Sequence, residues 1–191
     1  MASFVKTGFL AASLASIALP GYGENTGGQN GELHFYGSLL EGACRLDMRS
    51  DFQEVKMPAI PLAALQKTGD SGPSSTFVLR LRACQRSGGK ITDLTRGIVT
   101  WDAIQPVITV SFTGVLDPDN PSLLMMKGIR GAGLLIRDSS GHQIYPGERG
   151  RPQFVSPGDD QLIYTVTPVR TQAPLIAGEF RTVLDFKVNY D

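Results

Sequence analysis

Gly178-Glu179-Phe180-Arg181-Thr182-Val183-Leu184-Asp185-Phe186-Lys187-Val188-Asn189-Tyr190-Asp191 is the stretch that decides the fold. Even positions carry Phe180, Thr182, Leu184, Phe186, Val188 and Tyr190. Odd positions carry Glu179, Arg181, Asp185, Lys187, Asn189 and Asp191, and Val183 alone breaks the pattern. Period-two alternation rich in Phe, Val and Tyr is the mark of a half-buried strand, apolar face inward and charged face outward. The whole run, 178–191, therefore reads as one β-strand with no strand after it to pair with its free edge. A β-sandwich one strand short exposes an apolar groove and unpaired backbone, and it must borrow a strand from another chain. The alternative is an ordinary edge strand closing a self-sufficient sandwich.

Upstream, the pattern repeats in shorter pieces. Leu33-His34-Phe35-Tyr36-Gly37-Ser38-Leu39-Leu40 begins a first strand, and Phe52 to Met57 is a short one. Leu62 to Gln66 has room for one helical turn. Thr76 to Cys84 alternates cleanly, with Phe77, Leu79 and Leu81 on one face. Gln85 to Asp102 reads as a lengthy polar loop, of a kind that is unusual in a compact domain and often functional. Trp101 within it is either a small satellite core or an exposed contact. Further strands are expected at Pro106–Phe112, Leu123–Met126 and Gln161–Val169. Ala132–Asp138 and Gln143–Tyr145 flank the turn Ser139-Ser140-Gly141 as a hairpin. Gly147 to Pro157 reads as loop. About eight short strands with turn residues between them argue for an all-β sandwich, which Gly 22 and Pro 12 also suit.

Lys+Arg and Asp+Glu are 18 each, so no basic field draws nucleic acid. A 41% hydrophobic share can build a core. The length suits one domain plus processed ends. Residues 1–23 read as a secretory signal: Lys6, an apolar Phe9–Leu19 run, Pro20, then Gly21-Tyr22-Gly23 before a cleavage site. Cleavage after Ala18 competes with cleavage after Gly23. Residues 24–32 follow as a polar, Gly-rich extension without apolar anchors, and 33–191 form the domain. Cys44 and Cys84 are an even pair, which in an exported chain reads as one disulfide worth roughly 3–4 kcal/mol. Two free buried thiols are the alternative.

The side chains suggest no bond chemistry. His34 and His142 lie in no His-x-x-x-His arrangement and the cysteines in no Cys-x-x-Cys arrangement, so neither a metal nor a cofactor is expected. A Gly-x-Ser-x-Gly nucleophile elbow is missing. Gly128 to Gly133 has no GxGxxG frame and reads as a bend entering a strand.

Gly31-Glu32-Leu33-His34-Phe35-Tyr36-Gly37, with Cys44 seven residues later and Cys84 at the end of a strand, resembles the start of type 1 and P-type fimbrial subunits. Gly131 to Gly141 is similar to that family's hairpin. Gly178 and the penultimate Tyr190, with alternating apolar residues between them, resemble the zipper by which a periplasmic chaperone grips such a subunit. The resemblance implies an incomplete immunoglobulin-like sandwich lacking its last strand. It implies a chaperone that lends one in the periplasm, and an outer-membrane usher at which the next pilin subunit's extension replaces it. The groove would be lined by Leu33, Phe35, Gly178, Phe180, Leu184, Phe186, Val188 and Tyr190. The product would be a cell-surface fimbrium that contributes to adhesion, and could meet a host surface through the fibre.

One departure is visible. In phase with Leu33 and Phe35, the extension offers Asn25, Gly27, Gln29 and Gly31, none of which fills a large pocket. That points to a specialised minor subunit. Phe77–Cys84 and Phe186–Asp191 are similar to the P-pilus terminator, so an assembly terminator or anchor is the alternative. A glycan-binding tip adhesin fits less well, because one domain leaves no room for an added lectin domain. A secreted enzyme on a sandwich scaffold finds no catalytic constellation.

Overall fold

Eleven strands and two short helical turns, joined by loops, make up the described residues, 34–36 and 42–190 of the computed structural model. Residues 34–36 belong to a unit spanning 1–39, and 42–190 to the sandwich unit. The signal segment, the 24–32 extension, Leu33 and Asp191 lie outside the described residues.

The first sheet has the order β1 (Arg45–Leu46), β2 (Ser75–Cys84), β10 (Gly158–Arg170), β7 (Ala132–Asp138), β6 (Leu124–Met125). A further strand, β8 (Gln143–Ile144), pairs with β7 through the expected hairpin. The second sheet has the order β11 (Leu184–Tyr190), β5 (Val107–Gly114), β9 (Gln153–Phe154). Between them lies the core, because β2, β7 and β10 turn alternate apolar residues inward while β5 turns Ile108, Val110 and Phe112 to meet them. Phe112 packs edge-on against Tyr164 at 5.0 Å and against Phe77 at 5.8 Å between ring centroids. Burial raises the pKa of the Tyr164 phenol, whose oxygen accepts a hydrogen bond from Gln153 Nε2 at 3.2 Å.

The structure corrects several expectations. Only Leu184–Tyr190 of the last fourteen residues forms a ladder. Before it, Arg181 makes an isolated bridge to Lys127, on the continuation of β6, so the run leaves one sheet edge before joining the other. Alternation nonetheless persists: even side chains from Phe180 to Val188 are half-buried, odd ones exposed. Val183, the exception in composition, is 65% exposed, as its odd position dictates. His34, Phe35 and Tyr36 form no strand, against the expected Leu33–Leu40 strand. Phe52–Met57 makes no ladder either: it runs irregularly beside β2, with Gln53 Nε2 donating to the Val78 carbonyl at 2.9 Å, and Pro58 and Pro61 follow it. The expected helical turn is a 3-10 turn at Leu62–Ala64. Gln85–Asp102 is not a plain loop: it contains the hairpin β3 (Gly89–Asp93) and β4 (Ile98–Asp102). Likewise, Gly147–Pro157 contains β9.

Candidate functional site

A groove of about 1700 Å³ runs along the side of β11 that faces away from β5. Among the described residues, that edge of β11 has no strand partner. One wall is β11 with the residues leading into it, Leu175–Val183; the other is the irregular segment that follows β1, from Ser50 to Leu65. The floor is the sandwich core itself, reached at Phe77, Leu79, Leu134 and Val166. Burial records the opening residue by residue. On the inward face of β2, Leu79 and Leu81 are 1% exposed, while Phe77, on the same face, is only half-buried. Phe180, Leu184, Phe186 and Val188 pack against the core with their outer flanks open.

Both ends of the groove are fixed. At one, the disulfide joins Cys44 to Cys84 at the end of β2. Tyr190 Oη donates to the Cys44 carbonyl, and the Tyr190 ring lies over Gly42, where an added Cβ would stand 2.7 Å from Cε2. Partial burial raises the Tyr190 pKa, keeping the phenol a donor. At the other end, Gly178 and Gly128 let two backbones meet: a Cβ on Gly128 would stand 2.1 Å from the Glu179 carbonyl, and one on Gly178 2.9 Å from the Gly128 carbonyl. Lys127 and Arg181 exchange backbone hydrogen bonds of 3.0 and 2.9 Å there, and Thr182 Oγ1 donates to the Met125 carbonyl at 2.9 Å.

The far wall is pinned by charge. Asp47 caps the helical turn α1 (Met48–Asp51), its Oδ1 accepting from Arg49 N–H at 2.9 Å, while Arg82 Nε donates to Oδ2 at 2.7 Å. The Arg82 guanidinium, then the Arg49 N–H, hold the Asp47 carboxyl down at about 2. Ser50, fully buried, accepts from the Arg80 N–H at 2.8 Å.

Of the residues expected at the groove, Gly178, Phe180, Leu184, Phe186, Val188 and Tyr190 line it together. Phe35 is 88% exposed, in no strand, and belongs to the separate 1–39 unit. Leu33 and the extension residues Asn25, Gly27, Gln29 and Gly31 lie outside the described residues. Sequence reasoning missed the opposite wall and floor. Ile60 and Leu65 carry no period-two signal, Met57 reads only as the end of a short strand, and Phe77 only as one residue of an alternating face.

A family model described as fimbrial protein matches residues 33–191. The chain is 30% identical to the PRS fimbrial minor pilin protein of Escherichia coli, over 92% of this chain and 85% of that protein. It is equally similar to the PAP fimbrial minor pilin protein of Escherichia coli, with the same coverage. To the fimbria A protein of Serratia marcescens it is 29% identical, over 95% of this chain and 92% of that one. Among solved structures, the P pilus rod subunit PapA aligns with a TM-score of 0.61 at 16% identity, over 78% of this chain and 99% of that one. A chaperone–usher pilus structure concerned with rod uncoiling aligns with a TM-score of 0.62 at 17% identity, over 85% and 96%. These two likenesses are of fold.

Proposed function

The chain belongs to the fimbrial protein family, and from that premise we propose that it is a minor pilin subunit whose groove accepts a β-strand from another chain. The observation that carries this is the groove itself: a strand edge without a partner, beside an apolar floor continuous with the core. Backbone pairing with β11 would supply affinity, and alternate apolar side chains of the incoming strand would cover Phe77, Phe180 and Phe186. Nothing here calls for bond chemistry; the reaction is exchange of one strand for another.

On this reading, residues 1–23 direct export and 24–32 are the extension given to a neighbour. A periplasmic chaperone fills the groove first, an outer-membrane usher oversees the exchange, and the product is a surface fimbrium contributing to adhesion. The minor role is supported by the likeness to two minor pilins and by an extension whose in-phase residues are Asn25, Gly27, Gln29 and Gly31. A terminator, which would refuse an incoming strand, is the second reading, favoured by the resemblance of Phe77–Cys84 and Phe186–Asp191 to the P-pilus terminator. Timed mixing of the chaperone complex with a donor peptide from a major subunit separates them. Prompt release of chaperone supports an accepting subunit. No release over hours supports a terminator. A chain that binds neither chaperone nor peptide would sink both.

A further inference from the structure

The groove-facing side chains of β11 do not all end alike. Leu184, Phe186 and Val188 pack on the core and stop there. Tyr190 goes on across the gap. Its Oη donates to the carbonyl of Cys44, which stands immediately before β1, and Leu46 in β1 lines the facing side of the groove. β11 is an edge of the second sheet and β1 an edge of the first. This one side chain therefore ties the two sheets together across the opening between them.

Both feet of the tie are rigid. The Tyr190 backbone pairs with Ile108, which is fully buried. Cys44 is bridged to Cys84, and the adjacent Ala43 carbonyl accepts from the Gln85 N–H at 2.7 Å. The ring itself lies in the space that Gly42 leaves, where an added Cβ would meet Cε2 at 2.7 Å and both Cδ2 and Cζ at 3.2 Å. A strand laid beside β11 turns every second side chain inward, each roughly 7 Å from the next. Level with Leu184, Phe186 and Val188, those side chains meet the open flanks of apolar residues. Level with Tyr190, they meet a place already taken by the ring. A bulky side chain there would have to push the ring off Gly42 and strip the buried Cys44 of its donor.

We propose that Tyr190 is the specificity-determining residue at this end of the groove. Seated against Gly42 and bonded to Cys44, it fills the last inward position itself. The chain therefore selects donated strands with bulky apolar residues level with Leu184, Phe186 and Val188, and with glycine or alanine level with Tyr190. This deepens the reading of the groove as the acceptor of a strand, and rests on it.

The test mixes the chain's complex with its chaperone and an alternating Val–Thr peptide long enough to run the length of β11, and follows release of the chaperone. Each inward Val is replaced in turn by Gly or by Leu. At most positions Leu should release the chaperone faster than Gly. At one terminal inward position the order should reverse, with Gly faster than Leu by roughly tenfold or more. Tyr190→Ala empties that position and should abolish the reversal, while uptake of the peptide with Gly there shows that the variant still folds. Tyr190→Phe keeps the ring and loses only the bond to Cys44; it should shrink the reversal, and it takes over the test if the alanine variant fails to fold. No reversal in the parent overturns the role of Tyr190 and leaves the accepting groove standing. So does a reversal that survives Tyr190→Ala, or that keeps its full size in Tyr190→Phe where only that variant folds. No release by any peptide of the series, in parent and variants alike, overturns the accepting groove and the role of Tyr190 with it.

Discussion

At Gly42 one added methyl group would meet the Tyr190 ring at 2.7 Å. The ring would have to move, and its hydroxyl would lose the Cys44 carbonyl. Gly42→Ala should cost about 1–2 kcal/mol, and Tyr190→Phe, which removes only the hydrogen bond, about 1 kcal/mol. Urea denaturation of the oxidised, strand-filled protein measures both. The folded Tyr190 pKa lies above its unfolded value, so this contribution is present at neutral pH and is lost as pH rises through the raised value. Asp47 runs the other way. Its folded pKa of about 2 lies below the unfolded carboxylate value of about 3.9. Its contribution is therefore complete above the unfolded value and fades as pH falls toward 2. The gap in urea midpoint between the parent and Asp47→Asn should be widest at pH 6 and narrow by pH 2.5; a constant gap would remove Asp47 from the acid response. Tyr190 was legible in sequence as the end of an alternating run. Its contact with Gly42 was not, because residues so far apart in the chain meet only once the sandwich has folded.

Among the elements, β11 carries the clearest prediction. Phe186 faces the groove and Val183 faces water. Phe186→Ala should weaken binding of a donated strand by about 2 kcal/mol or more, and Val183→Thr should leave it within about 0.5 kcal/mol. Isothermal titration with one donor peptide compares them; equal losses would mean the strand does not bind along the inward face. β2, β10 and the alternation of β11 were legible as amphipathic runs, and β5, β7 and β8 as short apolar runs bounded by turn residues. The hairpin of β3 and β4 was not. Its apolar residues Ile98, Val99 and Trp101 stay exposed, so burial imposes no alternation of apolar and polar residues on it, and Asp93 and Asp102 look like loop residues until their turns are seen. The segment from Phe52 to Met57 failed oppositely: its apolar residues are real, but the ladder they imply does not form. The groove's opposite wall was therefore invisible to periodicity.

At the scale of the molecule, the Cys44–Cys84 disulfide ties the strand entering the sandwich to the end of β2. Replacing both by Ser should cost roughly 3–4 kcal/mol, which in a sandwich already short of one strand leaves little margin. Its readout is yield of folded protein under oxidising conditions, where a yield equal to the parent's would contradict that role. The central claim is that the sandwich is incomplete and another chain must fill it. The measurement that tests this most directly is periplasmic expression with and without a cognate chaperone, followed by size exclusion. A soluble one-to-one complex, obtained only when the chaperone is present, is the predicted result. A stable, soluble monomer without the chaperone would mean that β11 closes a complete fold, and would contradict the account.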